Sequence, residues 1–225
     1  RIELKALRGK SDVRLFGHEQ PLLSTGGKKG RVDLGTFWLQ AEVLSEGKIL
    51  RSPGLAEAGT KGLSLKTCRL SIQSGKDYLG HLTGFYNVPG IFGSVPYQSH
   101  NYLGVDCADV LVAAYGKWRN RKISKDYNVA MLVNQWPKIA TLKMENGEPE
   151  KAVPWGKIVR PGDLIAVRYP GRKRYQHIGA LGGDTNKDGL LNGGDTVIHA
   201  GPEALHSIPL NRGSFDGEVA ILRPE

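Results

Sequence analysis

The chain has 225 residues, 40% hydrophobic and 24% charged, which is the composition of a globular protein with one large domain or two small ones. No apolar run approaches the roughly 20 residues of a membrane-spanning helix, so the sequence predicts no membrane span. Lysines and arginines number 31 against 22 aspartates and glutamates, and the net charge of +9 favours an anionic partner. Three short basic groups lack the interleaved aromatic residues of a nucleic-acid surface, so we expect no nucleic acid. These groups are residues 28–31, 119–122 and 172–174.

The first 85 residues carry β-strand signals. Residues 32–44 are rich in aromatic and β-branched side chains, and residues 63–75 alternate apolar with polar side chains before a turn. We therefore expect a small β-rich domain over residues 1–85, with the form of a sandwich or a barrel. Such a domain could target the protein or cover a substrate groove.

The remaining residues, 86–225, combine helices with later strands. Residues 107–118 predict a helix with basic residues near its end, and residues 125–136 predict a second helix that Pro137 stops. Helices followed by strands that return on one another predict an α+β domain. The four predicted strands are residues 162–169, 177–183, 195–201 and 217–223.

The two cysteines, Cys68 and Cys107, stand in different surroundings. They could form a disulfide in an oxidising compartment, or one could be structural and the other reactive. Cys68 alternates with Leu65 and Leu70, as in a half-buried strand, whereas Cys107 opens the predicted helix. This difference favours separate roles for the two thiols.

Asp106 is expected to cap the helix, since its carboxylate can accept the free N–H groups of the first turn. Cys107 would then be the first helical residue, where the positive end of the helix favours the thiolate and lowers the pKa of the thiol. A nearby histidine would complete an activated nucleophile. Of six histidines, His177 and His199 lie in or beside predicted strands. The alternative is a small core cysteine with structural histidines.

Four short segments in a fixed order connect these residues: G-V-D-C at 104–107, P-G-D-L at 161–164, H-I-G at 177–179 and V-I-H-A-G at 197–201. This order resembles the NlpC-type cysteine peptidases, a papain-like family that cleaves peptides of bacterial cell walls. The resemblance implies a papain-like catalytic domain over residues 86–225, in which a nucleophile helix packs on an antiparallel sheet.

The resemblance also implies roles for individual residues. Cys107 would attack a peptide carbonyl and form an acyl-thioester, His177 would move the proton, and His199 would orient the ring of His177. The backbone N–H of Cys107 would help to hold the oxyanion. Residues around the nucleophile would contact the substrate, and these are Asp106, Ala108, Asp109 and Phe92.

The chain departs from the family pattern beside the nucleophile. Ala108 and Asp109 replace the usual Ser-Gly, and Asp109 adds a negative charge there. Gly90 stands where a tyrosine usually lines the site, and Tyr97 or Tyr102 could take its place. These departures affect the expected substrate more than the expected nucleophile.

Two intervals are longer than the family pattern. Cys107 and His177 are 70 positions apart, which predicts an insertion within residues 120–155. His177 and His199 are 22 positions apart, and the excess is accounted for by residues 184–195.

This last segment, D-T-N-K-D-G-L-L-N-G-G-D, fits the twelve-residue calcium loop, with oxygen-bearing side chains at alternate positions and a glycine at the sixth. The aspartate at its end resembles dockerin-type loops of extracellular bacterial proteins. We therefore expect a structural Ca²⁺ and a secreted or cell-envelope location, where the alternative is an Asp/Asn/Gly turn without an ion. The predicted ligands are Asp184, Asn186, Asp188, the carbonyl of Leu190, Asn192 and Asp195.

Three functions are compatible with the sequence. The first is a cysteine peptidase or amidase that acts on cell-wall peptides through a Cys-His-His triad. The second is an inactive, calcium-stabilised module that binds the wall or a protein, and the third is a thiol acyltransferase, since related folds host such chemistry. Anionic envelope polymers would suit the basic charge in each case.

Overall fold

Two antiparallel β-sheets and four short helices make up the described part of the chain. The structure is a computed structural model that describes residues 13–16, 34–54, 64–201 and 203–225. It is a mixed α/β protein with a curled antiparallel sheet, which confirms the predicted mixture of helices and antiparallel strands. Much of the region predicted as β-rich, including residues 1–12, 17–33 and 55–63, lies outside the described residues.

The smaller sheet is built around strand β2, which pairs antiparallel with its three partners. The strands predicted at 32–44 and 63–75 correspond to β2 and to the shorter β4. Most side chains of β4 are exposed, and so is the free thiol of Cys68, so its predicted half-buried position is wrong. The strands are β1 (Val13–Phe16), β2 (Gly35–Ser45), β3 (Lys48–Arg51) and β4 (Cys68–Ile72).

The larger sheet has seven strands in the order β10-β9-β8-β7-β11-β5-β6. The four strands predicted from the sequence are the neighbours β9, β8, β7 and β11. Strands β5 and β6 form one edge and come from the segment predicted as an insertion. The strands are β5 (Lys138–Glu145), β6 (Glu148–Pro149), β7 (Leu164–Arg168), β8 (His177–Gly183), β9 (Thr196–His199), β10 (His206–Pro209) and β11 (Gly217–Leu222).

The third helix has the bounds predicted for it, and the fourth begins later than predicted because Asn128 caps it by accepting the N–H of Met131 at 3.0 Å. The first two helices have only six and five residues and lie in segments where the sequence indicates strand or loop. None of the described helices is long and apolar enough to cross a membrane. The helices are α1 (Tyr78–Thr83), α2 (Pro96–His100), α3 (Cys107–Trp118) and α4 (Val129–Gln135).

The larger sheet separates two hydrophobic cores because alternate residues of each strand face opposite sides. Ile178 of β8 faces the helices and packs with Leu82 of α1 and Leu111 of α3, whereas Leu181 faces the second core around Phe215. Full burial of a side chain such as Leu111 contributes about 1.5–3 kcal/mol, which fixes α3 against β8. Helix α1 precedes the boundary predicted at residue 85, yet it packs in the same core as α3.

Candidate active site

The N-terminus of α3 places Cys107 beside strand β8. Asp106 has an extended backbone, and its Oδ1 accepts the N–H groups of Ala108 at 2.9 Å and Asp109 at 2.8 Å. This is the N-cap expected from the sequence, and it makes Cys107 the first helical residue. The backbone N–H of Ile178 interacts with the Cys107 sulfur, so α3 begins next to the start of β8.

The pKa of the Cys107 thiol is raised, so the predicted lowering is wrong. Burial raises this pKa to about 12 and the charge of Asp106 acts in the same direction, while the N–H groups of Ile178, Ala108 and Cys107 oppose both. The positive end of the helix favours the thiolate, but burial has removed most of the water around the sulfur. This loss of hydration disfavours the thiolate and has the larger effect on the pKa. At neutral pH Cys107 is therefore a thiol.

The pairing of β8 with β9 brings His177 and His199 together. Nε2 of His177 lies 2.9 Å from Nδ1 of His199, and the two rings meet edge to face with centroids 4.9 Å apart. The two histidines singled out in the sequence, 22 positions apart, are thus in direct contact.

The hydrogen bond between the two histidines leaves one nitrogen free on each ring. When His177 donates its Nε2–H to His199, its Nδ1 keeps a lone pair that can accept a proton. His199 then carries its own proton on Nε2, which is buried and has no partner among the described residues. This tautomer makes His177 a neutral base that a neutral His199 orients.

Both rings are held neutral by their surroundings. Burial, with a smaller contribution from His206, lowers the pKa of His177 to about 4, and burial together with His177 and His206 lowers the pKa of His199 to about 3. His206 lies opposite His199 on β10 with ring centroids 4.4 Å apart, and its Nδ1 donates to the carbonyl of Ala204. Phe215 packs against both rings. His206 was not expected at the site, because the short strand β10 that it opens was not among the strands predicted from the sequence.

Ala108 and Asp109 do not have the exposure that a substrate contact needs. Their exposed fractions are 3% and 2%, because α3 turns both into the interior, so their predicted role is contradicted. Asp109 Oδ2 instead accepts the hydroxyl of Ser94 at 2.7 Å, and Ser94 Oγ accepts the N–H of Asp106 at 2.9 Å. Ser94, which sequence reasoning missed, thereby joins the capping residue to Asp109.

We expect Asp109→Asn to stabilise the protein more at about pH 8 than at about pH 5. Burial, with the charges of Asp106 and Asp126 adding to it, raises the pKa of Asp109 to about 7 from 3.8. Between about pH 4 and pH 7 the folded chain keeps a proton that the unfolded chain has released. The stability of the fold therefore falls as the pH rises from about 4 to about 7. Asparagine can accept the same Ser94 hydroxyl without ionising, and the expected gain is larger at the higher pH by about 2–3 kcal/mol.

Thermal unfolding followed by circular dichroism at both pH values measures this difference. Glu150→Gln is the matched control, since it removes the same charge at an exposed position that does not act on Asp109. An Asp109→Asn gain that is equal at both pH values would show that ionisation of the buried carboxyl is not the cause.

Phe92 lies fifteen positions before the nucleophile in the chain. It is fully exposed on the loop that leads to Ser94. This loop is tied to the nucleophile by the bridge between Gly90 and Val105, where the N–H of Val105 donates to Pro89. The substrate contact of Phe92 stays a prediction, with which its exposure is compatible.

A tyrosine does lie near the nucleophile, but it is neither of the two expected from the sequence. Tyr102 packs against Phe85 with ring centroids 4.6 Å apart, and Tyr97 is exposed on α2. Tyr169, just after β7, is close enough to Cys107 for a thiolate charge to add to the effect of burial in raising the pKa of its phenol. Tyr169 comes near Cys107 because β7 pairs with β8, so the sequence alone does not single out this residue.

The predicted calcium loop is shaped by hydrogen bonds from its side chains. Asp184 Oδ2 accepts the N–H of Gly189 at 2.9 Å, and Gly189 has the positive φ of 80° that the turn requires. The side-chain amides of Asn186 and Asn192 both reach Asp188 Oδ2 at 2.8 Å. Oxygen-bearing side chains at positions 3, 5 and 9 of the loop therefore converge.

Asp195 has a different role from the one predicted for it. It is fully buried, its Oδ1 accepts the N–H of Thr185, and its Oδ2 accepts the N–H of Asn192 and Nε1–H of Trp155, all within 3.0 Å. Three donors, among them the indole of Trp155, hold this fully buried carboxylate, so it closes the loop from the inside. In the ranges described, no three His, Cys, Asp or Glu side chains form a metal-binding group.

Comparison of the chain with protein-family models, curated proteins and solved structures found no match. The residues and the geometry of this site are therefore the basis for assigning a function to the protein. The parts of this site are a capped helix start with a thiol and a pair of hydrogen-bonded histidines, and an exposed aromatic residue lies on the loop that precedes the helix.

Proposed function

We propose that the protein is a cysteine peptidase or amidase of NlpC type that hydrolyses peptide bonds of bacterial cell-wall peptides. The observation that carries the proposal is the 2.9 Å contact between His177 and His199 beside the helix start at Cys107. A thiol, an imidazole and a group that orients the imidazole are the parts required for covalent acyl transfer. The packing of α3 on an antiparallel sheet supports a papain-like arrangement as part of the same proposal.

The reaction begins with attack by the Cys107 sulfur on the carbonyl carbon, while its proton passes to Nδ1 of His177. A C–S bond forms and the carbonyl π electrons move to oxygen. The imidazolium then gives its proton to the leaving nitrogen as the C–N bond breaks, which leaves a thioester. Water, deprotonated by His177, attacks the thioester, and the departing sulfur recovers the proton.

The two pKa values set the order of these events. With the pKa of Cys107 raised to about 12 and that of His177 lowered to about 4, the proton resides on sulfur in the resting protein. Transfer to His177 therefore accompanies attack, and substrate binding does not require a preformed ion pair. This is general-base catalysis by a neutral imidazole that His199 holds in place.

The developing oxyanion has a donor at the start of α3. Asp106 occupies the N–H groups of Ala108 and Asp109, while the N–H of Cys107 interacts with the sulfur of its own side chain, beside which the oxyanion would form. A backbone N–H at a helix N-terminus stabilises negative charge both by hydrogen bonding and by the helix dipole.

The test is incubation with soluble cell-wall peptides, followed by mass spectrometry of the products. The expected result is a new carboxylate and a new amine whose masses add up to the substrate plus water, absent with Cys107→Ala. A folded protein that leaves every wall peptide intact would contradict the proposal.

A binding module without activity is the second candidate, and the raised pKa of Cys107 is the observation that favours it. The replacement of the family's Ser-Gly by Ala108 and Asp109 points the same way. Binding of wall peptides by wild-type protein without any cleavage would support this candidate over the first.

The proposal includes one structural Ca²⁺ in the loop between the histidines. Exposed and half-buried side chains that carry hard oxygens suit this ion. Asp195 is left out because it is fully buried and its Oδ2 accepts Nε1–H of Trp155. The oxygens of Asp184 and Asp188 also accept N–H donors, but these two side chains reach the surface of the loop. A bound ion would neutralise the carboxylates and fix the segment that joins β8 to β9. The residues that would hold it are Asp184, Asn186, Asp188, the carbonyl of Leu190 and Asn192.

We expect Ca²⁺ to raise Tm relative to EDTA. At a free concentration about 100 times Kd, binding adds about 2.7 kcal/mol, and in a chain of this size that amounts to about 5–10 °C. Asp188→Ala should remove the difference, while the exposed control Asp126→Asn should keep it. Equal Tm values of the wild type in Ca²⁺ and EDTA would show that the loop is a turn without an ion.

A secreted or envelope location follows from the same proposal, since the calcium loop and the net charge of +9 both suit a protein that works among anionic wall polymers.

A further inference from the structure

The loop between β7 and β8 carries three consecutive cations that the proposed reaction does not use. Arg172, Lys173 and Arg174 are all exposed at the tip of this hairpin, which we call the cationic hairpin. Its base is ordered by backbone hydrogen bonds, among them that from the N–H of Arg172 to the carbonyl of Tyr169 at 3.0 Å. The charges are therefore held on a defined turn.

These three cations have no ion pair within the described ranges. Glu218, the carboxylate at the base of the hairpin, is occupied by an ion pair with Arg168 and by the hydroxyl of Tyr175 at 2.9 Å. Asp216, the other acid near the base, accepts the N–H of Gly147 at 3.0 Å. The positive charge at the tip is thus uncompensated.

The other two basic groups give no comparable reason to propose a ligand. The group at 28–31 lies outside the described residues. The group at 119–122 follows the C-terminus of α3, where cations favour the helix dipole, and Arg119 lies 3.7 Å over the ring of Trp118. The cationic hairpin has no comparable structural explanation, which points to a ligand.

The hairpin also leads directly into the candidate active site. His177 follows Arg174 by three positions and opens β8. At the other end of the hairpin, Tyr169 lies close enough to Cys107 to respond to its charge. The hairpin therefore begins and ends beside the reacting groups.

The proton transfer to the leaving amine determines which part of the substrate lies next to the cationic hairpin. His177 must protonate the leaving amine, so the leaving part of the substrate lies on the imidazole side of Cys107. The hairpin that ends at His177 is then the rim nearest to the leaving part. Exposed cations attract a carboxylate there, mainly by raising the rate of productive encounter and fixing its register.

We propose that the cationic hairpin selects substrates with a carboxylate-bearing residue on the leaving side of the scissile bond. This inference rests on the proposed peptidase function, and it names the substrate class of that site as acidic peptides. The ligand group is a peptide carboxylate, bound by Arg172, Lys173 and Arg174 together.

The test uses two fluorogenic peptides that differ only by Glu or Gln two positions after the scissile bond. Wild-type protein should cleave the Glu peptide with a kcat/KM about tenfold higher at low salt, and the preference should shrink at about 0.5 M NaCl. The triple variant Arg172→Gln, Lys173→Gln, Arg174→Gln should have lost the preference. The matched control Lys151→Gln, Lys157→Gln, Arg160→Gln removes the same charge before β7, at its opposite end, and should keep it.

A second measurement separates this inference from the peptidase proposal. Binding of both peptides, labelled with fluorescein, to Cys107→Ala is followed by anisotropy and requires no turnover. Hairpin-dependent preference for the Glu peptide without any cleavage by wild type would uphold the hairpin site and reject the peptidase. Cleavage of both peptides at equal kcat/KM would reject the hairpin site and uphold the peptidase. Hairpin-dependent binding of polyphosphate with no preference between the peptides would also overturn the inference, in favour of an anionic polymer.

Discussion

Replacement of Cys107 by alanine is expected to lower kcat/KM for a cleaved wall peptide by about 10⁴-fold or more, because the sulfur forms the covalent bond. His177→Ala should cost a similar factor, since base and nucleophile act as a unit and the double variant should be no worse than either single one. His199→Ala should cost less, about 10²-fold, since this neutral ring orients His177 without touching the substrate. Steady-state kinetics on one peptide measures all four variants.

The pH profile distinguishes a catalytic role from a structural one. His177 must be neutral to accept the proton, and its pKa is lowered to about 4, so kcat/KM should rise through this pH and be complete at neutral pH. His199→Gln should move this acid limb, because it changes the polar group that His177 faces. His177→Gln, with circular dichroism to verify folding, controls for lost packing against Phe215. Activity of His177→Gln within tenfold of wild type would reject the base assignment.

The second large effect concerns the reactivity of the two thiols toward iodoacetamide. We expect Cys68, which is exposed, to be alkylated at least about 100-fold faster than Cys107 at neutral pH. Burial raises the pKa of Cys107 to about 12, so only a minute fraction is thiolate, the form that reacts. Mass spectrometry of tryptic peptides after timed quenching gives both rates in one sample.

Cys68→Ser provides a chain in which Cys107 is the only thiol, and its alkylation rate should keep rising with pH beyond the neutral range. Fast alkylation of Cys107 below neutral pH, lost in His177→Ala, would mean that the two groups form a thiolate–imidazolium pair. The mechanism would then start from a preformed nucleophile, and the thiol and neutral imidazole described above would be the wrong resting state.

The features that the sequence by itself determined depend on residues that are neighbours in the chain. Asp106 caps α3 because a carboxylate one position before the helix reaches the N–H groups of its first turn, which made the start of the helix predictable. The basic residues near Lys117 favour the negative end of the helix and indicated where it stops. β8 was predictable at both ends because an uninterrupted apolar run lies between a basic loop and an aspartate. The spacing of Asp184, Asp188 and Gly189 likewise determines the local turns of their loop.

Only the tertiary structure decided the properties that depend on what covers a group or lies across from it. Helix position alone predicted a lowered pKa for Cys107, but burial against β8 has the opposite and larger effect. The place of Asp109 beside Ser94, and the three donors on Asp195, come from contacts between distant segments. The sequence nominated His177 and His199, and the pairing of β8 with β9 put them 2.9 Å apart. Desolvation and long-range hydrogen bonds are set by the assembled fold, and local sequence patterns do not encode them.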